Sequence, residues 1–600
     1  MFSNIYTLYL SNNSIKDISP IASLKNLSCL DLSNNDLTDI DSFKNFNMSF
    51  IYSINLSDNK IKDVSSLINS KIDYPNLSLD LSRNPGVSGY EKLVNVNSLL
   101  LNDCEIEDVS NLKDLDNLMV LELSNNPNVS GLEDLPQSIY DLKLSNCNIE
   151  DLSSLVNKEG LSYLDISNNN ITSLKGLKKL SNIFSIDVSG NKITDWSELK
   201  SIKERPQEDY YELYTLCANN CDIEDISIFN DLHVGSFLEL KNNNIKDLSN
   251  FNNDKVYGID LSGNKDITRL EALKNVYTVY LDECNISDIN EVLKLEEVMN
   301  LSLENNNLTD VSDISYLKQL DCLSLAGNRD IKGSISSNRI SSLNVSDCNL
   351  NNDLVFEKIN SFYYLNISKN NIKSIINILN NNKYDYLSII ADELDFDEIE
   401  KIKTDDKKHF FINDVVLDLD YDLEEGLTNI DLSRYPLLRK DLLKSKGREK
   451  LNIENGKLNK NGYSIDVIDL NKNSSSIKFN QYGVTFSGTT IKINFNKIEE
   501  EDTNTASVNN IEEVIKEETP TPPTDTIITN TTEEKDITKE EIKTKPEIQN
   551  VTNTSIVNEI TEDTNTVIEE TTNTVVEEEK ENTTENKTQE NINNTVSMSL

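Results

Sequence analysis

The stretches Leu30–Ile40 (LDLSNNDLTDI), Ile54–Val64 (INLSDNKIKDV), Leu142–Leu152 (LKLSNCNIEDL) and Leu238–Leu248 (LELKNNNIKDL) carry one pattern. Its general form is L-x-L-x-x-(N/C)-x-(I/L)-x-D-(I/V/L). Working outward from these four, the Asn/Cys slot falls at Asn13, Asn35, Asn59, Asn84, Cys104, Asn126, Cys147, Asn169, Asn191 and Cys221. It continues through Asn243, Asn264, Cys284, Asn306, Asn328, Cys348 and Asn370 to a degenerate turn at Asp392. Steps are mostly 20 to 22 residues; the step from Asn191 to Cys221 is 30, and that insertion contains KERPQEDYYE.

Each slot has a physical reason. Residues alternate between the two faces of a strand, so Leu30 and Leu32 point inward while Asp31 points out. Stacked turns then form a parallel sheet with strands roughly 4.8 Å apart, and eighteen turns extend about 85 Å. The Asn slot lies where the chain leaves the strand and its backbone groups lose ladder partners; a buried amide replaces them, sparing about 1–3 kcal/mol per orphan group. Asp in I-x-D-I (Asp17, Asp39, Asp63, Asp108, Asp151, Asp225, Asp247, Asp288, Asp310) suits the N-cap of a short helix. The expected fold is an α/β solenoid over residues 1–395. Its parallel sheet is on the concave face, with short helices or 3-10 turns on the convex face.

This period and consensus mark a leucine-rich-repeat array. With N-x-I-x-D-I it resembles the SDS22-like class, shared by a eukaryotic phosphatase regulator and by bacterial internalin-type surface proteins. The resemblance covers roughly residues 1–395 and implies protein recognition through the concave face.

Five of the eight cysteines (Cys104, Cys147, Cys221, Cys284, Cys348) occupy the Asn slot. Non-adjacent turns are about 10 Å or more apart, beyond the ~7 Å Cα limit of a disulfide. Cys29, Cys217 and Cys322 fall at outward strand positions equally far apart. No disulfide is therefore expected, and free thiols favour a reducing compartment.

The outward column reads Tyr9, Asp31, Asn55, Asp80, Leu100, Glu122, Lys143, Asp165, Asp187, Cys217, Glu239, Asp260, Tyr280, Ser302, Ser324, Asn344, Asn366, Ser388. Seven of the eleven places from Asp31 to Asp260 are acidic, and the column turns neutral past Tyr280. The preceding outward slot adds Tyr163, Phe237, Tyr364 and Tyr386. Charge steers a partner and aromatic side chains anchor it. The partner-binding residues expected are Asp31, Asp80, Glu122, Tyr163, Asp165, Asp187, Phe237, Glu239, Asp260 and Tyr280, facing a protein with a basic patch. The competing reading of the charge is solubility of an open sheet.

Beyond the repeats, residues 396–440 keep apolar residues without the period and read as a C-terminal cap. Asp418, Asp420, Asp422, Glu424 and Glu425 alternate like a calcium loop but lack its midway glycine, so no metal is expected. Residues 441–498 (SIDVIDL, SIKFN, YGVTFSG, TIKINF) read as a small antiparallel β module. Residues 499–600, with 26 acidic and 7 basic residues, read as a disordered tail.

The net charge of −45 repels phosphate backbones and anionic lipid, arguing against nucleic acid and membrane surfaces as partners. No run of about 18 apolar residues occurs to span a bilayer. The N-terminus shows no signal-peptide pattern and no cap ahead of Leu8, which suits either a truncated reading frame or a neighbour serving as cap. The two histidines, His233 and His409, have no nucleophile or metal partner at useful spacing, and no phosphate loop or CxxC occurs. Adjacent carboxylates such as Asp165 and Asp187 would be about 5 Å apart, a glycosidase-like spacing that any two acidic turns produce. The expectation is therefore a monomeric, non-enzymatic binding protein without cofactor. It is secreted or at the cell surface on the order of its parts, or a cytosolic scaffold on its free thiols.

Overall fold

A computed structural model describes residues 5–497 apart from short breaks, the longest at 70–75, 200–212, 352–361, 377–385, 402–408, 422–428, 446–450, 468–473 and 480–489. The KERPQEDYYE insertion, His233, the degenerate turn at Asp392 and the acidic tail lie outside the described residues. All of the description belongs to the first of two units, Met1–Asn504.

The repeats form one 19-stranded sheet in which successive turns pair in parallel. Most strands are three residues long, with the middle residue buried and its neighbours half-exposed, as in Cys29–Asp31, Ser53–Asn55 and Val120–Glu122. Leu30, Leu32, Leu121, Leu123, Leu142 and Leu144 are fully buried, so the core is a leucine stack running the length of the array. In the first turn Leu8 and Leu10 are only partly buried. Opposite the sheet the chain makes short 3-10 helices such as Asp41–Asn45 and Ser312–Tyr316, and a short α-helix, Ile289–Val292. The recurring Asp caps these by accepting the N–H two residues on, for example Ser110 N to Asp108 Oδ1 at 2.9 Å. Asp225 and Asp288 hold the N-cap position itself, whereas Asp17, Asp39, Asp108 and Asp310 stand one residue earlier, their helices beginning one residue later.

The Asn ladder is a hydrogen-bond relay between turns. The Asn35 amide donates to Leu10 O (3.0 Å) in the previous turn and to Leu32 O (2.9 Å) in its own, and its Oδ1 accepts from Ile15 N (3.0 Å). The residue before each slot is left-handed, and Asn or Asp usually stands there because both tolerate that conformation. All eight thiols are free. The five ladder cysteines keep the donor role alone: Cys104 Sγ lies 3.2 Å from Leu81 O and Cys147 Sγ 3.1 Å from Leu123 O.

A cysteine is more than a swap within an unchanged turn. The residue after every ladder cysteine (Glu105, Asn148, Asp222, Asn285, Asn349) is also left-handed, which happens after no ladder asparagine among the described residues. In four of the five cases the preceding turn carries one extra residue before its apolar position: Asn84-Pro-Gly-Val87, Asn126-Pro-Asn-Val129, Asn264-Lys-Asp-Ile267 and Asn328-Arg-Asp-Ile331. The added residue redirects the backbone: Gly86 N donates to Cys104 O (2.8 Å) and Asp266 N to Cys284 O (3.0 Å). That turn no longer needs a side-chain acceptor at the next slot, so a thiol suffices.

Two expectations change towards the C-terminus. Tyr364 and Asn366 pair with Ser388 and Ile390, and Tyr386 pairs with His409. The outward column thus runs from Asn366 to Ile390, leaving Ser388 and Tyr386 one step out of it. In LSIIA the apolar residues Leu387, Ile389 and Ala391 alternate, so a two-residue slip leaves the inward face apolar and sequence alone cannot fix the register. The sheet also continues beyond residue 395, through His409–Ile412.

The expected division at residue 440 is crossed by a sheet. Asp414–Tyr421 pairs in parallel with Thr490–Lys497 over eight residues, at the centre of a five-stranded sheet with Leu394–Asp395, Ser474–Phe479 and Leu451–Glu454. The presumed cap and the presumed β module therefore share one apolar layer, including Val415, Leu417, Ile477, Ile491 and Ile493, and the sheet is mixed rather than antiparallel. Asn429–Asp431, Ser464–Val467 and Gly456–Leu458 form a separate antiparallel trio. Asp418 and Asp420 are strand residues; Asp422, Glu424 and Glu425 lie outside the described residues.

Candidate functional site

The outward column forms as a continuous register. Asp80 pairs beside Leu100, then Glu122, Lys143, Asp165, Asp187, Cys217, Glu239, Asp260 and Tyr280 follow strand by strand. Asp31 lies earlier in the same column, beside Asn55. Tyr163 stands between Asp141 and Ser185, and Phe237 between Thr215 and Gly258, in the second outward column.

These positions differ in what they present. Glu122 takes the Lys143 ammonium at 2.5 Å, so the column's lone lysine is already neutralised. Asp165 and Asp187 each spend Oδ1 on the N–H two residues on, at 2.9 and 2.8 Å. Burial pushes the Asp187 carboxyl above its usual range, and the carboxylates of Asp165 and Glu239 push the same way against the Ser189 hydrogen bonds. Burial likewise raises Asp141, opposed by Lys143. Asp260 is only 4% exposed and is held 3.1 Å from the Lys241 ammonium. Thr278, Ser302 and Ser324 beyond it are also buried. The acidic face open to solvent therefore narrows to the turns before Asp260.

The expected anchors Tyr163, Phe237 and Tyr280 are partly buried rather than standing free. Phe237 lies over Gly258 and its ring centroid is 5.6 Å from that of Tyr280. Exposed aromatic residues recur instead at the entry to the strands: Tyr140, Tyr257, Tyr277 and Tyr363 stand just before or at the strand start, and Tyr214 is the second residue of Leu213–Cys217. They form ring contacts with one another and with the face: Tyr140–Tyr163 at 5.3 Å, Tyr163–Phe184 at 5.7 Å, Phe184–Tyr214 stacked at 4.8 Å, and Tyr257–Tyr277 at 5.3 Å. The main chain sets the spacing, since Tyr140 O accepts from Ser162 N and Tyr163 N, and Phe184 O accepts from Tyr214 N. Strand parity assigns this position to the interior, but parity holds only within a regular strand: Tyr140 and Phe184 lie just before one, and Tyr214 sits where the register shifts between Leu213 and Thr215. Aligning the column Met119, Tyr140, Ser162, Phe184, Tyr214 would have exposed the pattern.

A family model described as "Leucine Rich repeats (2 copies)" matches residues 4–45, the segment containing the first two turns of this sheet. That segment carries leucine-rich repeats, and the stacked parallel turns give residues 5–412 a leucine-rich-repeat solenoid fold. Among solved structures, the repeat protein is similar to an internalin, InlF, from Listeria monocytogenes. Identity there is 22%, over 58% of this chain and 82% of that one, with a TM-score of 0.32. It is similar also to the functional domain of InlJ from Listeria monocytogenes, described as including a cysteine ladder, at 16% identity over 82% and 91% of the two chains with a TM-score of 0.35. A third is the mouse RP105/MD-1 complex, at 17% identity over 68% and 80% with a TM-score of 0.44. No curated protein matches the chain. No helix among the described residues is long and apolar enough to cross a membrane, and these residues contain no group of three or more side chains placed to hold a metal ion.

Proposed function

We propose that the chain recognises another protein through the outward face of its repeat sheet, as an internalin-like secreted or surface-exposed binding protein, and that it is not an enzyme. The observation carrying this reading is the open face of turns 6–11, where half-buried carboxylates adjoin exposed rings over successive strands. Tyrosine rings are enriched among the residues that dominate protein interfaces, and carboxylates beside them steer a basic partner. The order of parts, with repeats, then β strands, then an acidic Thr/Asn/Glu-rich tail, supports a surface setting. Eight free thiols favour the second reading, a cytosolic scaffold.

Photo-crosslinking residues at Asp165 on the sheet and at Glu133 on the opposite side separate the faces. Adducts from Asp165 alone support recognition through the sheet; adducts from Glu133 alone overturn it. Protease treatment of intact producing cells tests the setting, with the tail cleaved if the chain is outside and protected if it is cytosolic.

A further inference from the structure

The ring contacts between Tyr140 and Tyr214 run alongside carboxylates with little cationic compensation. From Val120 to Glu239 the outward strand positions hold one basic residue, Lys143, and Glu122 occupies it. Asp165 and Asp187, next in the column, face no basic strand neighbour in the adjoining turns other than Lys143. Tyr140 and Tyr214, the outer members of the ring series, are 41% and 43% exposed, while Tyr163 and Phe184 between them are partly covered. A ribbon of π-systems thus runs beside a strip of carboxylates, two to three residues before it along the same strands.

We propose that the ring series Tyr140–Tyr163–Phe184–Tyr214, with Asp165 and Asp187 beside it, docks an arginine-bearing segment of a protein partner. The inference rests on the outward-face reading and names the partner chemistry of that face. A guanidinium is the side chain that satisfies both halves: its plane stacks on an aromatic ring while its N–H fork engages a carboxylate. An ammonium supplies charge without the plane. Nucleic acid offers stacking bases, but its phosphates are repelled by the carboxylates. The extra burial of Asp187 adds to the effect, since an incoming cation relieves a carboxylate that solvent already screens poorly.

Deca-arginine and decalysine carry equal charge, so calorimetric titration of the full chain with each isolates the ring contribution. The arginine peptide is expected to bind about fivefold more tightly or better, and Tyr214→Ala to remove that preference while changing decalysine binding less than about twofold. Tyr214→Phe retains the preference, and the Asp165→Asn/Asp187→Asn pair weakens both peptides. Circular dichroism and urea midpoints check that each variant folds. Equal affinities for the two peptides, or a preference indifferent to Tyr214→Ala, overturn the proposal, as does uptake of chitohexaose at these rings in place of the arginine peptide. Crosslinking of deca-arginine from Asn344 on the same face, with ring variants silent, sinks the ribbon and leaves the outward-face reading standing. Crosslinking from Glu133 alone sinks both.

Discussion

The side-chain oxygen of Asn126 accepts two backbone N–H groups of the previous turn, Cys104 N at 3.2 Å and Ile106 N at 2.8 Å. Its amide nitrogen donates to Leu101 O and Leu123 O at 2.9 and 2.7 Å, and the residue is fully buried. Asn126→Ala therefore orphans groups on two turns, at about 1–3 kcal/mol each before relaxation, and should lower stability by roughly 3 kcal/mol or more. Cys104→Ala removes one weak S–H donor and should cost about 1 kcal/mol. Urea midpoints of the two variants measure the contrast; equal losses would refute the relay.

Thiol reactivity gives the second prediction. Burial pushes Cys104, Cys147 and Cys221 up to about 11, and Cys284 and Cys348 up to about 12. The thiolate is the reactive form, so these five should be silent to Ellman's reagent at pH 8 in the folded chain and should react in urea. Of the three outward thiols, Cys217 is held up by burial and then by the Glu239 and Asp187 carboxylates, and Cys322 by burial and Asp321. Cys29 should react first. Rapid release of five or more equivalents before unfolding would contradict this arrangement.

How far these features could be read from sequence depends on how local they are. The leucine spacing and the Asn/Cys slot are repeated side-chain requirements of each turn, so the pattern of Leu30–Ile40 specifies the strand, the ladder and the outward Asp31. The link between a ladder cysteine and the preceding turn's extra residue involves two turns, and no single copy of the motif contains it. The ring series failed for a similar reason: Tyr140 and Phe184 stand just outside the strands, where the two-residue alternation stops assigning faces. Register at Tyr386–Ile390 was ambiguous because a two-residue slip preserves the apolar face. The Asp414–Tyr421 strand pairs with Thr490–Lys497, each residue with the one 76 positions on, which no local pattern encodes.

Asp282 supplies a pH-dependent prediction. Burial raises its carboxyl to about 6, with Glu304 and Asp260 adding repulsion and the Ser302 hydroxyl and Glu304 N–H opposing. A carboxyl whose folded value exceeds its unfolded value is favoured protonated in the folded state. Its stabilising contribution is full below the unfolded value near 4 and is lost as pH rises through about 6. At neutral pH the charged form is thus a burden on folding. Asp282→Asn keeps a side-chain oxygen for Ser302 Oγ and Glu304 N, now at 2.5 and 2.7 Å, and removes the charge. It should raise the urea midpoint at pH 7.5, by about 1 kcal/mol after allowance for partial solvent screening, with the advantage fading by pH 4. A variant less stable than the parent at pH 7.5 would refute the assignment.

Gly258 and Phe237 provide the last test, because the ring occupies the space that a side chain at residue 258 would need. A Cβ there would lie 2.6 Å from Phe237 Cδ2 and Cε2 and 3.3 Å from Thr278 Cβ. Gly258→Ala must therefore push the ring off the strand and away from Tyr280, now 5.6 Å distant between centroids. Overpacking of this kind costs about 1–3 kcal/mol, and the low end is expected here because a side chain, not backbone, has to yield. Phe237→Ala alone removes ring contacts and also destabilises. The double variant clears the clash, so its loss should be smaller than the sum of the single losses by about 1 kcal/mol. Near-ultraviolet circular dichroism should register the displaced ring in Gly258→Ala while the far-ultraviolet spectrum holds. Additive losses would mean that the two positions do not share this space, and that Phe237 is free to turn outward on the face.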